Sequence, residues 1–128
     1  MAAPPDNRPL SPHLQVWRPH ITMVASISNR FAGAGLVVGA FALVAWLWAL
    51  AAGPEDFANV SALLKSTLGQ IALFLVAVAG AYHFAAGVRH LVWDAGRGFS
   101  PRVADLTGWG AFIFALAAPV ALWALAGA

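Results

Sequence analysis

Gly80, His83, Gly87, His90 and Asp94 lie in or at the end of one apolar stretch and are spaced 3, 4, 3 and 4 residues apart. At about 100° per residue, this spacing sets all five along one stripe of a helix. An imidazole in such a stripe has two uses. Its neutral ring tolerates burial and can ligate haem iron axially. It can also hydrogen-bond to a neighbouring helix, with Gly80 and Gly87 serving only as small packing residues. Spacing leaves both readings open. Under the first, the flanking glycines form a notch in which a flat macrocycle could lie against the backbone. His83 would then sit roughly 14 Å inside the end of its helix, nine residues back from Val92. No other histidine shares that depth: His90 lies near the end of the stretch, and His13 and His20 precede the spans. A six-coordinate haem would take its second ligand from another polypeptide, which predicts a hetero-oligomer.

A second set stands at the entry to the first apolar stretch. Ser26, Arg30 and Gly33 follow i, i+4, i+7 and share a helix face, with Asn29 about 60° to one side. Arg30 could simply reach back to the lipid headgroups, or act as a topogenic charge. Its functional use would be as an anion donor to haem propionates, with Ser26 donating a hydrogen bond to a quinone carbonyl in an otherwise apolar cleft. Arg89 faces away from the His83 stripe, toward a partner subunit or lipid phosphate. Gly35-x-x-x-Gly39 permits close helix approach, and Pro119 can kink the last span.

The elements that must carry these residues follow from composition. Hydrophobic residues make up 61% of the chain and charged residues 9%, against about 25% charged in soluble domains. That little charge cannot wet a globule, so lipid is the solvent. About 20 apolar residues cross a bilayer, and three stretches qualify, at about 31–52, 68–92 and 107–126. The fold class expected is an all-α membrane protein of three transmembrane helices. Residues 1–21 form an N-terminal segment and 22–128 the three-span membrane domain. Gly53-Pro54-Glu55-Asp56 reads as a helix stop and turn, 57–66 as a short surface helix, and 94–105 as the second loop. Six arginines flank the N-terminal segment and second loop, while the first loop has only Lys65. The N-terminus is therefore expected on the cytoplasmic or matrix side. Most of the six tryptophans fall near expected span ends, as an aromatic belt would. Seven basic residues spread along the chain make no patch for nucleic acid. With no cysteine, the chain can neither ligate an iron–sulfur cluster nor attach haem covalently. The proline-rich first twenty residues hold no signal-peptide core, so the first span is expected to act as its own insertion signal.

These residues also carry a resemblance. Arg8-Pro9-Leu10-Ser11-Pro12-His13-Leu14 resembles the amino-terminal signature of the cytochrome b subunits of succinate dehydrogenase (respiratory complex II). Ser26-Ile27-Ser28-Asn29-Arg30-Phe31-Ala32-Gly33 is similar to their second motif, S-I-x-H-R-x-[ST]-G. The run from His83 to Asp94, HFAAGVRHLVWD, is similar to the third, H-x-x-x-G-[IV]-R-H-L-x-W-D. The resemblance implies the haem-binding anchor half of a heterodimeric helical bundle. It assigns His83 as an axial ligand of haem b, and Ser26, Ile27 and Arg30 to the ubiquinone site. Arg30 and His90 become the contacts to the haem propionates. Implied partners are a flavoprotein, an iron–sulfur subunit and a second small membrane anchor, which supplies the other haem ligand and a pocket tyrosine. The implied setting is a bacterial inner or mitochondrial inner membrane. Asn29 stands where the family usually has histidine and Ala32 where it has Ser or Thr. Asparagine donates a hydrogen bond but carries no proton or positive charge. Two other readings fit the same plan: a fumarate reductase anchor using menaquinone, and a haem-free structural anchor. Nothing in the chain could bind flavin or oxidise a dicarboxylate, so no dehydrogenase activity is expected of it alone.

Overall fold

A computed structural model of the chain describes residues 17–126. The Arg8–Leu14 signature and most of the N-terminal segment lie outside the described residues. Four helices follow in order: α1 (Ile21–Ala52), α2 (Pro54–Lys65), α3 (Thr67–Asp94) and α4 (Pro101–Ala126). Among them α1, α3 and α4 are long and apolar enough to cross a bilayer. Their outer faces carry Phe31, Phe41, Trp48, Phe84, Ile113 and Leu116, all exposed. Water would penalise such a surface; hydrocarbon does not.

Three helix boundaries differ from the hydropathy reading, each for a local reason. α1 begins ten residues before the apolar run, because His20 caps it. The His20 Nδ1 accepts from the Thr22 N–H at 3.4 Å and the Thr22 hydroxyl at 2.9 Å. Ser26, Asn29 and Arg30 therefore stand on regular helix. α1 ends at Gly53, whose φ of +141° suits glycine. No separate turn follows: Pro54 takes the first helical position of α2, with Glu55 and Asp56 in its first turn and Lys65 in its last. That order matches the helix dipole at both ends. The second loop shrinks to 95–100, because Ser100 accepts the Ala104 N–H and Pro101 opens α4.

The α2–α3 corner is tight. The Ser66 hydroxyl donates to the Leu63 carbonyl at 2.6 Å and accepts from the Gly69 N–H at 3.2 Å. A Cβ on Gly69 would overlap the Leu63 and Leu64 carbonyls, so the corner requires glycine there. Trp46 of α1 packs on Phe57 of α2, and Phe74 of α3 meets Trp123 of α4 edge-on at 5.4 Å.

Lipid gives helices no hydrophobic reason to associate, so close van der Waals contact must do it. Most buried positions are accordingly small: Ala25 and Ala32 on α1, Ala86 on α3, Gly108, Ala111 and Ala115 on α4. The Gly35-x-x-x-Gly39 pair forms part of the α1–α3 seam, with Gly35 opposite Ala79 and Gly39 opposite Val76. A Cβ on Gly39 would come within 2.8 Å of Val76 Cγ1. Gly39→Leu is therefore expected to force the helices apart at a cost of about 1–3 kcal/mol. The check is a lower midpoint of heat inactivation for the assembled protein. α4 runs through Pro119, which is fully buried and lacks an N–H to give the preceding turn.

Candidate functional site

The two residue sets meet along one seam. α1 and α3 run antiparallel, and the His83 ring lies over Gly33. A Cβ at Gly33 would sit 3.5 Å from His83 Cε1 and 3.7 Å from Nδ1, ordinary contact distances. Gly33 belongs to the face that carries Ser26 and Arg30, one turn below Arg30. At 1.5 Å per residue, Ser26 stands about 10 Å along the helix axis from Gly33 and Arg30 about 4.5 Å.

Ser26, Ile27, Arg30, His83 and His90 are all exposed in the single chain. No hydrogen bond engages the His83 ring among the described residues, so the neighbouring-helix bond that spacing allowed is not made among them. The glycine notch is one-sided. Leu36 reaches to 3.7 Å from a Cβ placed on Gly80, whereas nothing lies within 4 Å of one on Gly87. His90 is fixed differently. Its Nδ1 lies 2.7 Å from the Ala86 carbonyl, which can only accept, so that nitrogen carries the proton. The Nε2 makes no hydrogen bond among the described residues, and the ring meets Trp93 edge-on at 5.1 Å.

Asn29 departs from the Ser26–Arg30 face and joins the inward stripe of Ala25 and Ala32. Its Oδ1 is buried without a hydrogen-bond partner among the described residues. An unpaired buried acceptor costs about 1–3 kcal/mol, so this position calls for a donor.

Arg89 faces away from the His83 stripe, but within the chain it turns inward and not toward the outside. It is only 9% exposed, packed under α4. Its Nε donates to Thr107 Oγ1 and its Nη2 to the Ala104 carbonyl, both at 3.1 Å. The guanidinium also stacks over Trp93, 4.8 Å from the ring centroid. Three hydrogen-bonding or aromatic partners within the chain account for this charge, so it is an internal clamp between α3 and α4.

Two polar contacts escaped the sequence reading. Tyr82, adjacent to His83 and 4% exposed, donates its hydroxyl to the Ala25 carbonyl at 2.8 Å. At the same end of the molecule, His20 Nε2 lies 3.6 Å from Asp105 Oδ1 and links the start of α1 to α4. The only available signal was residue type: Tyr82 is the single tyrosine of the chain, set in a run of small apolar residues.

Comparison with known proteins places this arrangement. Residues 4–122 match the family model described as succinate dehydrogenase/fumarate reductase transmembrane subunit. The succinate dehydrogenase cytochrome b556 subunit of Rickettsia bellii is 36% identical over 121 residues, covering 92% of each chain. That of Paracoccus denitrificans is 45% identical over 92 residues, covering 72% of this chain and 71% of its own. The mitochondrial cytochrome b560 subunit of Sus scrofa is 36% identical over 117 residues, 86% of this chain and 65% of its own. With nearly its whole length matched and three spanning helices in place, the chain belongs to the transmembrane-subunit family of succinate dehydrogenase and fumarate reductase, among the cytochrome b subunits of succinate dehydrogenase.

Proposed function

We propose that this chain is the membrane anchor of a succinate:quinone oxidoreductase, holding haem b through His83 and shaping a ubiquinone-reduction site with Ser26, Ile27 and Arg30. The observation that carries the reading is the His83 ring. It is exposed on the α1–α3 seam, makes no hydrogen bond among the described residues, and stands beside the open backbone of Gly87. An imidazole with no hydrogen bond among the described residues is suited to a metal outside its own chain. The residues present fit a haem. Gly87 leaves room for a flat ring, and the exposed Arg30 guanidinium and His90 ring are available to propionates.

Haem b, when bound, supplies a one-electron store beside the quinone. The chain's own residues do the rest by position. The Ser26 hydroxyl donates to one quinone carbonyl, and the Arg30 guanidinium stabilises the negative charge that builds on oxygen during reduction. Ile27, exposed on the same turn, gives the quinone ring an apolar wall. Because this face is open in the single chain, a second small anchor subunit closes it, bringing the other haem ligand and a pocket tyrosine. The iron–sulfur subunit covers its mouth, fed in turn by the flavoprotein. The arginine distribution sets the N-terminus on the cytoplasmic or matrix side of a bacterial or mitochondrial inner membrane.

Substitution of the pocket donors tests this. In the purified complex, Ser26→Ala is expected to lower kcat/KM for ubiquinone about tenfold, the worth of one hydrogen bond to a substrate carbonyl. Arg30→Ala should lower it by up to about a hundredfold, since a charged donor is lost. Succinate oxidation by an artificial dye reports whether the remaining subunits are intact. Unaltered ubiquinone kinetics in both variants would remove these residues from the site.

A further inference from the structure

Tyr82 ties the two halves of the proposed site together. Its neighbour on α3 is His83; the carbonyl it bonds, on Ala25, belongs to the residue before Ser26 on α1. The Ser28 side chain, two residues past Ser26 on α1, lies within hydrogen-bonding reach of the same Tyr82 hydroxyl. Below it the seam is closed by contact alone: His83 on Gly33, Leu36 on Gly80, Gly35 on Ala79 and Gly39 on Val76. Above Gly33, Ala32 packs with Tyr82 and Ala86 of α3, and the first turn of α1 also touches α4. His20 points to Asp105, and Ile21 packs at Gly108.

We infer that Tyr82 is a positioning residue for the quinone site, its hydroxyl setting the height and rotation of Ser26 and Arg30 relative to His83. The inference rests on the site reading above. The bond is not needed to keep α1 helical. The Ala25 carbonyl has two lone pairs, and the helix interior already supplies the Asn29 N–H to one of them. Nor is the hydroxyl needed to fill space, since the ring packs against Phe112 with centroids 4.8 Å apart. What the hydroxyl adds is a reference between two helices. Without it, the turns bearing Ser26 and Arg30 keep only apolar contact with α3, and the distance between the quinone donors and His83 is set less sharply. A shift near 1 Å is enough to spoil a substrate hydrogen bond.

The experiment uses the assembled complex carrying Tyr82→Phe, which keeps the ring. The ubiquinone KM is expected to rise about fivefold, as the loss of one neutral hydrogen bond allows, with kcat within about twofold of wild type. The reduced-minus-oxidised haem spectrum should be unchanged. Phe112→Leu loosens the same packing but spares the hydroxyl, and should leave the KM alone. Ser26→Ala, measured in parallel, separates the possible failures. If it raises the KM and Tyr82→Phe does not, Tyr82 positions nothing and the site stands. If neither changes the KM, the site reading fails and takes this inference with it. An equal rise with Phe112→Leu, or a Tyr82→Phe complex that does not assemble, makes Tyr82 a packing residue and overturns the inference.

Discussion

His83→Ala is expected to abolish the b-type difference spectrum of the purified complex while its subunits still assemble. The size of the effect follows from what surrounds the position. No cysteine is available, and no other residue can take over the ligation from the same height. His90 lies seven residues further along α3, about 10 Å by helix rise. Its Nδ1 is held by the Ala86 carbonyl, so reaching the same iron would require the haem to move by two helical turns. The helix itself should survive. Alanine is the best helix former, and an exposed ring leaves no interior cavity when removed. The vacated space over Gly33 is the shape of the lost ring, so added imidazole should restore part of the spectrum. A spectrum unchanged by the substitution would place the iron elsewhere.

Much of this arrangement could be read before any coordinates. The spans are legible because lipid imposes a single demand, about 20 apolar residues with their backbone bonds satisfied internally. The His83 stripe is legible because helix geometry fixes which residues share a face. Helix ends were harder. Hydropathy marks where the apolar run begins, whereas caps mark where the helix does; His20 and Ser100 start α1 and α4 in polar sequence that a hydropathy reading leaves as turn or loop. The α2 start was misjudged for a related reason. Proline and two acids look like a turn, but they are also what a helix N-terminus favours.

The side-chain contacts between helices were the least legible. The direction of Arg89 follows from periodicity, and that part of the reading held. What stands in that direction depends on how α4 is rotated, which Gly108, Ala111, Ala115 and Pro119 decide by how closely they allow α3 and α1 to approach. Tyr82 is hidden for the same reason. In sequence it is one more aromatic in a greasy run, and only the antiparallel register of α1 and α3 reveals that its hydroxyl reaches Ala25. Asn29 was placed beside the quinone face, whereas its oxygen is turned inward, a rotation of a third of a turn or less that no pattern of polar residues resolves.

The two arginines nearest the proposed site therefore have separable roles, and substituting them one at a time should show it. Arg89→Ala removes two charge-assisted hydrogen bonds, each worth about 1.5–3 kcal/mol, and a cation–π contact with Trp93. Part of that is recovered because a buried guanidinium no longer has to be desolvated. The groups left behind are not stranded, since the Thr107 hydroxyl still donates to the Val103 carbonyl at 2.8 Å. A net loss of about 2 kcal/mol or more should remain, enough to lower the midpoint of heat inactivation by about 5 °C. The ubiquinone KM should be close to wild type, because Arg89 lies on the far side of α3 from His83. Arg30→Ala should do the reverse. An exposed arginine contributes little to holding this chain together, so thermal behaviour should be preserved while quinone turnover falls. Heat inactivation and ubiquinone kinetics measured on both variants decide the matter. If Arg89→Ala weakens quinone use as much as Arg30→Ala does, the clamp between α3 and α4 is part of the site and the division drawn between the two charges is wrong.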